Sequence, residues 1–285
     1  MGHAGVADTL AIRPLTEADL PAAHALSAAV QWPHRLEDWQ FVHRLGTGVA
    51  AELNGALVAT AMAWHYGSDW ARLGMVIVTP ECQGLGIGRH LMDALLPQLD
   101  GRGITLHATG SGERLYRSLG FAPCGTVRQQ QGAAFSVGIV APQAGERLRP
   151  AGRADLAAIA ALDEAACGMR RGEALSALLA VAEALVLDRA GEAVGFACLR
   201  RFGRAALQID AEMGQGGRGE EGDQSGDELD HGLHRWSPPG AGMNAVMRPN
   251  RRSGNAGPMK LRSCGGHPGL ATVAVATHSG RMAAA

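Results

Sequence analysis

The chain repeats itself, and that constrains its fold more than any other feature. Residues 11–20 read Ala-Ile-Arg-Pro-Leu-Thr-Glu-Ala-Asp-Leu, and residues 147–156 read Arg-Leu-Arg-Pro-Ala-Gly-Arg-Ala-Asp-Leu. Arg13-Pro14, Ala18-Asp19-Leu20 and Leu26 recur as Arg149-Pro150, Ala154-Asp155-Leu156 and Leu162, a constant offset of 136 residues. The same offset, without a gap, pairs Gly55 with Gly191, Val58 with Val194, Ala61 with Ala197 and Gly67 with Gly203. Chance supplies one such match, not a shared register over more than fifty residues. The chain therefore reads as two related halves.

The first half alternates strand and helix patterns. Residues 10–13 form a short strand, and Thr16 with Asp19 marks the cap of a helix running to about Val30. Residues 36–45 read as a second helix. Strands at 49–53 and 56–65 flank Asn54-Gly55, a strong two-residue hairpin signal. A nearly continuous apolar strand at 72–78 leads through a glycine-rich loop into a helix at 87–99. A strand at 104–108, a helix at 113–119 and strands at 125–128 and 134–140 complete the pattern. This order predicts an α/β fold with a mixed central sheet flanked by helices.

The second half repeats only the opening: a strand, helices at 154–166 and 173–183, and a hairpin around Ala190-Gly191. The offset sets residues 211–225 against 75–89, but they contain neither a buried strand nor an apolar helix, so the globular pattern ends near 203–209. Residues 210–230 are acidic, with Arg218 the single basic side chain, and no acid follows Asp230. Such segments bury too little apolar surface to offset chain entropy, and a disordered tail over 205–285 is expected. Of the 26 basic residues only Lys260 is lysine, and there are 40 glycines. This bias fits a GC-rich coding sequence, and the tail fits such a gene read in a changed frame from about 201–209.

Composition removes several classes of function. The net charge of −1 gives no field for nucleic acid or anionic lipid. No apolar run is long enough to cross a bilayer, and no signal pattern opens the chain. Five scattered cysteines without a C-x-x-C argue against a disulfide framework or a zinc site, so no metal is expected. The reading is a cytoplasmic protein. With no lysine before residue 260, P-loop, Schiff-base and pyridoxal chemistry are closed to the main body.

The chemistry concentrates in residues 75–92, where a buried strand enters Gln83-Gly84-Leu85-Gly86-Ile87-Gly88 and then a helix. Glycines allow close backbone approach and positive φ, and the free amides and dipole of a helix start suit a pyrophosphate. Arg89 adds a cation. A dinucleotide fold would carry G-x-G-x-x-G after its first strand, whereas this loop follows the fourth strand of a hairpin-rich sheet.

On these residues the segment over 9–140 resembles the GNAT superfamily of N-acetyltransferases. Val76–Val78, Pro80 and the loop at 83–88 match its acetyl-CoA motif, and Leu115-Tyr116-Arg117-Ser118-Leu119-Gly120-Phe121 matches its L-Y-x-x-x-G-F segment. The doubled pattern is similar to bacterial proteins with a second, degenerate acetyltransferase domain. The implied organisation is a GNAT domain at 9–141, a partial second copy at 146–204 and the tail.

The resemblance implies acetyl-CoA as co-substrate and direct transfer of its acetyl group to a primary amine of a small molecule or peptide. Cofactor contacts would come from Val76, Ile77 and Val78, the backbone of the two valines pairing with the pantetheine arm. Gln83, Gly84, Leu85, Gly86, Ile87, Gly88 and Arg89 would hold the pyrophosphate. The fourth and fifth strands would have to splay to admit the cofactor. Tyr116 would protonate the departing thiolate. No acid lies in 72–79 to serve as base, which leaves His65 and His107 as candidates, and Thr109 stands where the family often has asparagine. Gln31 to His34, with Glu37, Asp38 and Trp39, are candidates for contact with a cationic acceptor. A homodimer is compatible with the pattern. The alternatives are an acyl-CoA-sensing module without catalysis, and an inactive product of a frame-disrupted gene.

Overall fold

The offset that relates the halves of the sequence also relates their backbone. The computed structural model describes residues 9–99, 101–127, 141–202, 206–213, 244–249 and 273–276. The first half contains β1 (Leu10–Pro14), α1 (Leu20–Ala29), α2 (Leu36–Arg44), β2 (Thr47–Leu53), β3 (Ala56–Tyr66), β4 (Trp70–Val78), α3 (Ile87–Leu95), β5 (Gly103–Ala108), α4 (Gly110–Ser118) and β6 (Phe121–Val127). The second contains β7 (Glu146–Pro150), α5 (Leu156–Cys167), α6 (Gly172–Leu179), β8 (Glu183–Arg189), β9 (Glu192–Phe202) and β10 (Ala206–Met213), followed by β11 (Asn244–Pro249) and β12 (Val273–Ala276). Both ends of β7, β8 and β9 lie 136 residues beyond those of β1, β2 and β3, and β10 starts 136 beyond β4.

Local chemistry accounts for the boundaries. Pro97 cannot donate to the helix ladder, so the helix expected over 87–99 is α-helical to Leu95 and narrows to a 3-10 turn at Leu96–Leu99. The helix expected from 113 starts at Gly110, because the Thr109 hydroxyl accepts the Gly112 amide and caps it. β6 starts at Phe121 rather than 125. The strand expected at 134–140 lies outside the described residues.

The tail differs from its expectation. The backbone follows the repeat through Met213, past the predicted end near 203–209, and β11 and β12 are further strands within 205–285. The alternation in Ala206-Leu-Gln-Ile-Asp210 was enough to continue the hairpin as a sheet neighbour of β9. The rest of the tail lies outside the described residues.

The chain divides into two compact units. The first sheet runs β1-β2-β3-β4-β5-β11-β6, with β4 and β5 parallel and the other described pairings antiparallel. The second sheet runs β12-β10-β9-β8-β7. The first sheet is packed on both faces. Leu91, Met92 and Leu95 of α3 cover the alanines of β3, while Leu20, Leu26 and Trp39 of α1 and α2 cover Ala50, Met62 and Ile77. The described core of the second unit lies on one face, where Ile159 and Leu175 meet Val186, Phe196 and Cys198. Among the described residues no helix is long and apolar enough to cross a membrane.

Candidate active site

A bulge in β4 creates the site. Between the pairs Thr60↔Ile77 and Met62↔Gly74, one residue of β3 faces two of β4. Met75 takes φ +50°, a conformation rare for a non-glycine residue, and its carbonyl accepts the fully buried Thr60 hydroxyl at 2.9 Å. The bulge resets the alternation of β4. Leu73 packs on the α3 side and Met75 and Ile77 on the α1–α2 side, while Val76 and Val78 return to the α3 side.

The bulge also ends the pairing of β4 with β5. Their register runs from Trp70↔Gly103 to Leu73↔Leu106 and stops, although β4 continues to Val78 and β5 to Ala108. The two strands part at the level of Gly74, which is the splay that an inserted cofactor requires. From there the β5-facing edge of β4 has no strand partner among the described residues, leaving a backbone edge that an extended ligand arm can pair with.

The glycine loop stands at the wide end of this fork. Gln83 folds back so that its amide donates to the Val78 carbonyl at 3.1 Å. Gly86, at φ +80°, is the residue before α3, and its carbonyl accepts the amides of Arg89 and His90. The amides of Leu85, Gly86, Ile87 and Gly88 make no backbone hydrogen bond among the described residues, so four donors gather at a helix start. Arg89 contributes less than the sequence implies. Its amide is already used, and its guanidinium pairs with Asp93 at 3.1 Å. Leu85 is exposed.

Gly88 joins the two sequence motifs in space. A Cβ there would stand 3.1 Å from the Leu115 side chain of α4 and 3.8 Å from that of Val78 of β4, so glycine lets the three elements approach without displacing Leu115. The next residue on α4, Tyr116, is 6% exposed, with its ring edge-on to Phe121 at 6.1 Å. Burial pushes its phenol up to about 12, so it holds its proton across the physiological range.

The histidines separate. His107 lies on β5 one residue beyond the last β4–β5 pair, at the apex of the fork. Arg72 Nη2 lies 2.8 Å from each of its ring nitrogens, and because a guanidinium only donates, the ring accepts. Desolvation, then the Arg72 charge, pull its pKa down to about 4 and keep the ring neutral. His65 is exposed and pairs across from Ala71, whereas Val78 pairs with Ala59. Six residues of β3, roughly 20 Å, separate His65 from the loop end of β4.

The expected acceptor residues are largely structural. Trp39 is fully buried and donates to Ser27 at 3.2 Å, while Asp38, 2% exposed, accepts Arg35 as the cap of α2. Trp32 and His34 remain half-buried at the α1–α2 connection, with ring centroids 5.6 Å apart. A cavity of about 460 Å³ lined by Arg13, His43, Thr47 and Gln98 lies at the β1–β2 side, away from the loop. Sequence reasoning missed Thr60 and Arg72. Their only signal is a polar residue within an apolar stretch of strand.

Comparison with known proteins agrees with this geometry. The profile of the Acetyltransferase (GNAT) family matches residues 11–121. Serotonin N-acetyltransferase 2, chloroplastic, from Oryza sativa subsp. japonica is 34% identical over 124 residues, 39% of this chain and 60% of that protein. The chain thus spans less than two thirds of that relative. A Pyrococcus horikoshii protein described as an acetyltransferase superposes with a TM-score of 0.54 at 20% identity, covering 74% of both chains. Residues 11–121 alone cannot supply that share, so the likeness in fold extends into the second unit. The likeness to the acetyltransferase (GNAT) family is thus carried by residues 11–121.

Proposed function

We propose that the first unit transfers an acetyl group from acetyl-CoA to a primary amine. The observation that carries the reading is the parting of β4 from β5 beyond Leu73 and Leu106, with the free amides of residues 85–88 at its wide end. These residues fit a cofactor with a diphosphate and an amide-bearing arm. The backbone of Val76 and Val78 would hold the arm, and the amides at the start of α3 would hold the diphosphate. When bound, acetyl-CoA supplies an acyl group activated as a thioester.

Tyr116 serves as the proton donor to the leaving thiolate, and its raised pKa keeps the donor loaded at neutral pH. His107 is a poor base for an alkylammonium ion, because its pKa of about 4 makes that transfer steeply uphill. We assign it, with Arg72, to the apex of the fork rather than to proton removal. His65 is too far along β3 to take part. The amine therefore arrives neutral or loses its proton to water. The setting for this activity is the cytoplasm.

The test is release of CoA thiol with a panel of amines, including serotonin because of the rice relative. Tyr116→Phe is expected to lower turnover by about 10²–10⁴-fold with acetyl-CoA affinity retained. Equal rates would remove Tyr116 from the mechanism. Acetyl-CoA binding without turnover of any amine would instead favour a sensing module.

A further inference from the structure

We propose that β11 is a detachable strut, a strand lent by the far end of the chain that sets the fork and with it the affinity for acetyl-CoA. The inference rests on the reading of the first unit as an acetyl-CoA site. β11 stands between β5 and β6 in the first sheet and is antiparallel to both, so β5 and β6 run parallel with a one-strand gap between them. Their connection is α4, and a crossover of that kind leaves the gap to a strand from elsewhere in the chain. The strand that fills it begins at Asn244, more than a hundred residues beyond the end of β6 at Val127, yet it belongs to the first compact unit.

Two parts of the candidate site hang on this strand. β5 pairs with β4 only from Gly103 to Leu106. Beyond that apex, His107 and Ala108 pair with Val246 and Ala245, so among the described residues β11 alone holds the β5 side of the fork. The β4 side is held by β3 as far as Val78. On its other edge β11 pairs with β6 from Phe121 to Val127, and β6 has no other neighbour in the described sheet. Phe121 is the residue that meets the Tyr116 ring edge-on. β11 therefore closes the β5–α4–β6 unit that carries both His107 and Tyr116.

The strut is also releasable. A hairpin neighbour orders little chain, whereas docking a strand from so far along the sequence costs the entropy of closing a long loop. The ladder between β11 and β6 is interrupted by a register shift at Val246 and Met247. Both features leave β11 less firmly held than the hairpin strands of the same sheet. Once it leaves, β5 and β6 present facing backbone edges, a slot for one extended segment antiparallel to both and held by main-chain hydrogen bonds.

Val246→Pro in the full chain tests this, because proline in a central strand removes a ladder donor. Acetyl-CoA affinity, measured by calorimetry, is expected to fall about tenfold. Hydrogen exchange should quicken at the end of β5 and along β6 while β2 and β3 keep their protection. A synthetic peptide of residues 242–251 should then restore the affinity in a concentration-dependent manner, and the same peptide carrying Val246→Pro should not. Unchanged affinity in the variant would overturn the proposal. So would a loss that the peptide does not restore, or faster exchange across the whole first sheet, which would make β11 a general stabiliser. Wild type that binds no acetyl-CoA would instead remove the functional reading itself, and this proposal with it.

Discussion

Val49 and Leu185 hold the same place in two copies of one design, yet one is 5% exposed beneath a helix and the other 46% exposed. The copies agree wherever structure depends on local contacts. Each opens with an arginine that grips an aspartate through both guanidinium nitrogens: Arg13 to Asp19 at 2.8 Å twice, Arg149 to Asp155 at 2.8 and 2.6 Å. Each arginine also reaches the next strand, to Glu52 or to Asp188. They part after the fourth strand. In the first copy a glycine loop and an amphipathic helix follow, cover the sheet and form the candidate cofactor site. In the second the corresponding residues are acidic and polar. The hairpin and two helices that frame a half-sheet recur in the second copy, whereas the glycine loop and the apolar stripe of α3 do not recur in its sequence. The half whose sequence does not repeat that stripe is the half in which Leu148 and Leu185 are exposed.

The sharpest way to break this comparison is a matched pair of substitutions. Val49→Glu places an unpaired carboxylate under α3 and should cost about 3–5 kcal/mol or unfold the first unit. Leu185→Glu, at the same position of the repeat, should change the intrinsic stability of the second unit by no more than about 0.5 kcal/mol. Chemical denaturation of both variants at low protein concentration checks this, and similar losses would mean that the second face is covered within the chain.

A smaller effect is expected at the bulge. Thr60→Val keeps the shape of the side chain but strands the Met75 carbonyl, a loss of about 1–3 kcal/mol. Because the bulge parts β4 from β5, acetyl-CoA affinity should fall along with the melting temperature. A stability loss with affinity unchanged would separate the bulge from the site.

The smallest effect concerns the shared arginine clamps. Arg13 and the Thr16 amide hold Asp19 well below the usual carboxylate range, and Arg149 and the Gly152 amide lower Asp155 to about 2. A carboxylate whose pKa is lowered by folding contributes stability above its unfolded pKa near 4. That contribution is lost as the pH falls through the folded value. Both units should therefore weaken between about pH 4 and 2. Arg13→Gln and Arg149→Gln should each raise the acid midpoint by about half a pH unit, the effect being modest because solvent screens the pairs. An acid titration followed by circular dichroism reads it out.

Much of this architecture is legible in the residues themselves. Asn54-Gly55, with φ +52° and +83°, makes the hairpin its dipeptide predicts, and Ala190-Gly191 repeats it at φ +54° and +92°. Thr16 and Asp19 cap as their spacing requires. The motifs around Gly86 and Tyr116 point to the site through residue types and spacing alone. The acceptor residues were less legible, because an aromatic or acidic residue on a helix reads the same whether it binds a ligand or, like Trp39 and Asp38, completes a core and a cap.

By itself, the sequence determined the two copies, the order of their opening elements and the glycine loop before α3, because turns, caps and apolar periodicity act over a few residues. Only the tertiary structure decided where β4 leaves β5, which histidine stands at the fork, and which leucines of the second sheet are exposed. These depend on register between strands distant in the chain, on the Thr60 hydroxyl reaching the Met75 carbonyl, and on Arg72 lying against His107. Partners 15 and 35 residues apart leave no local pattern to read.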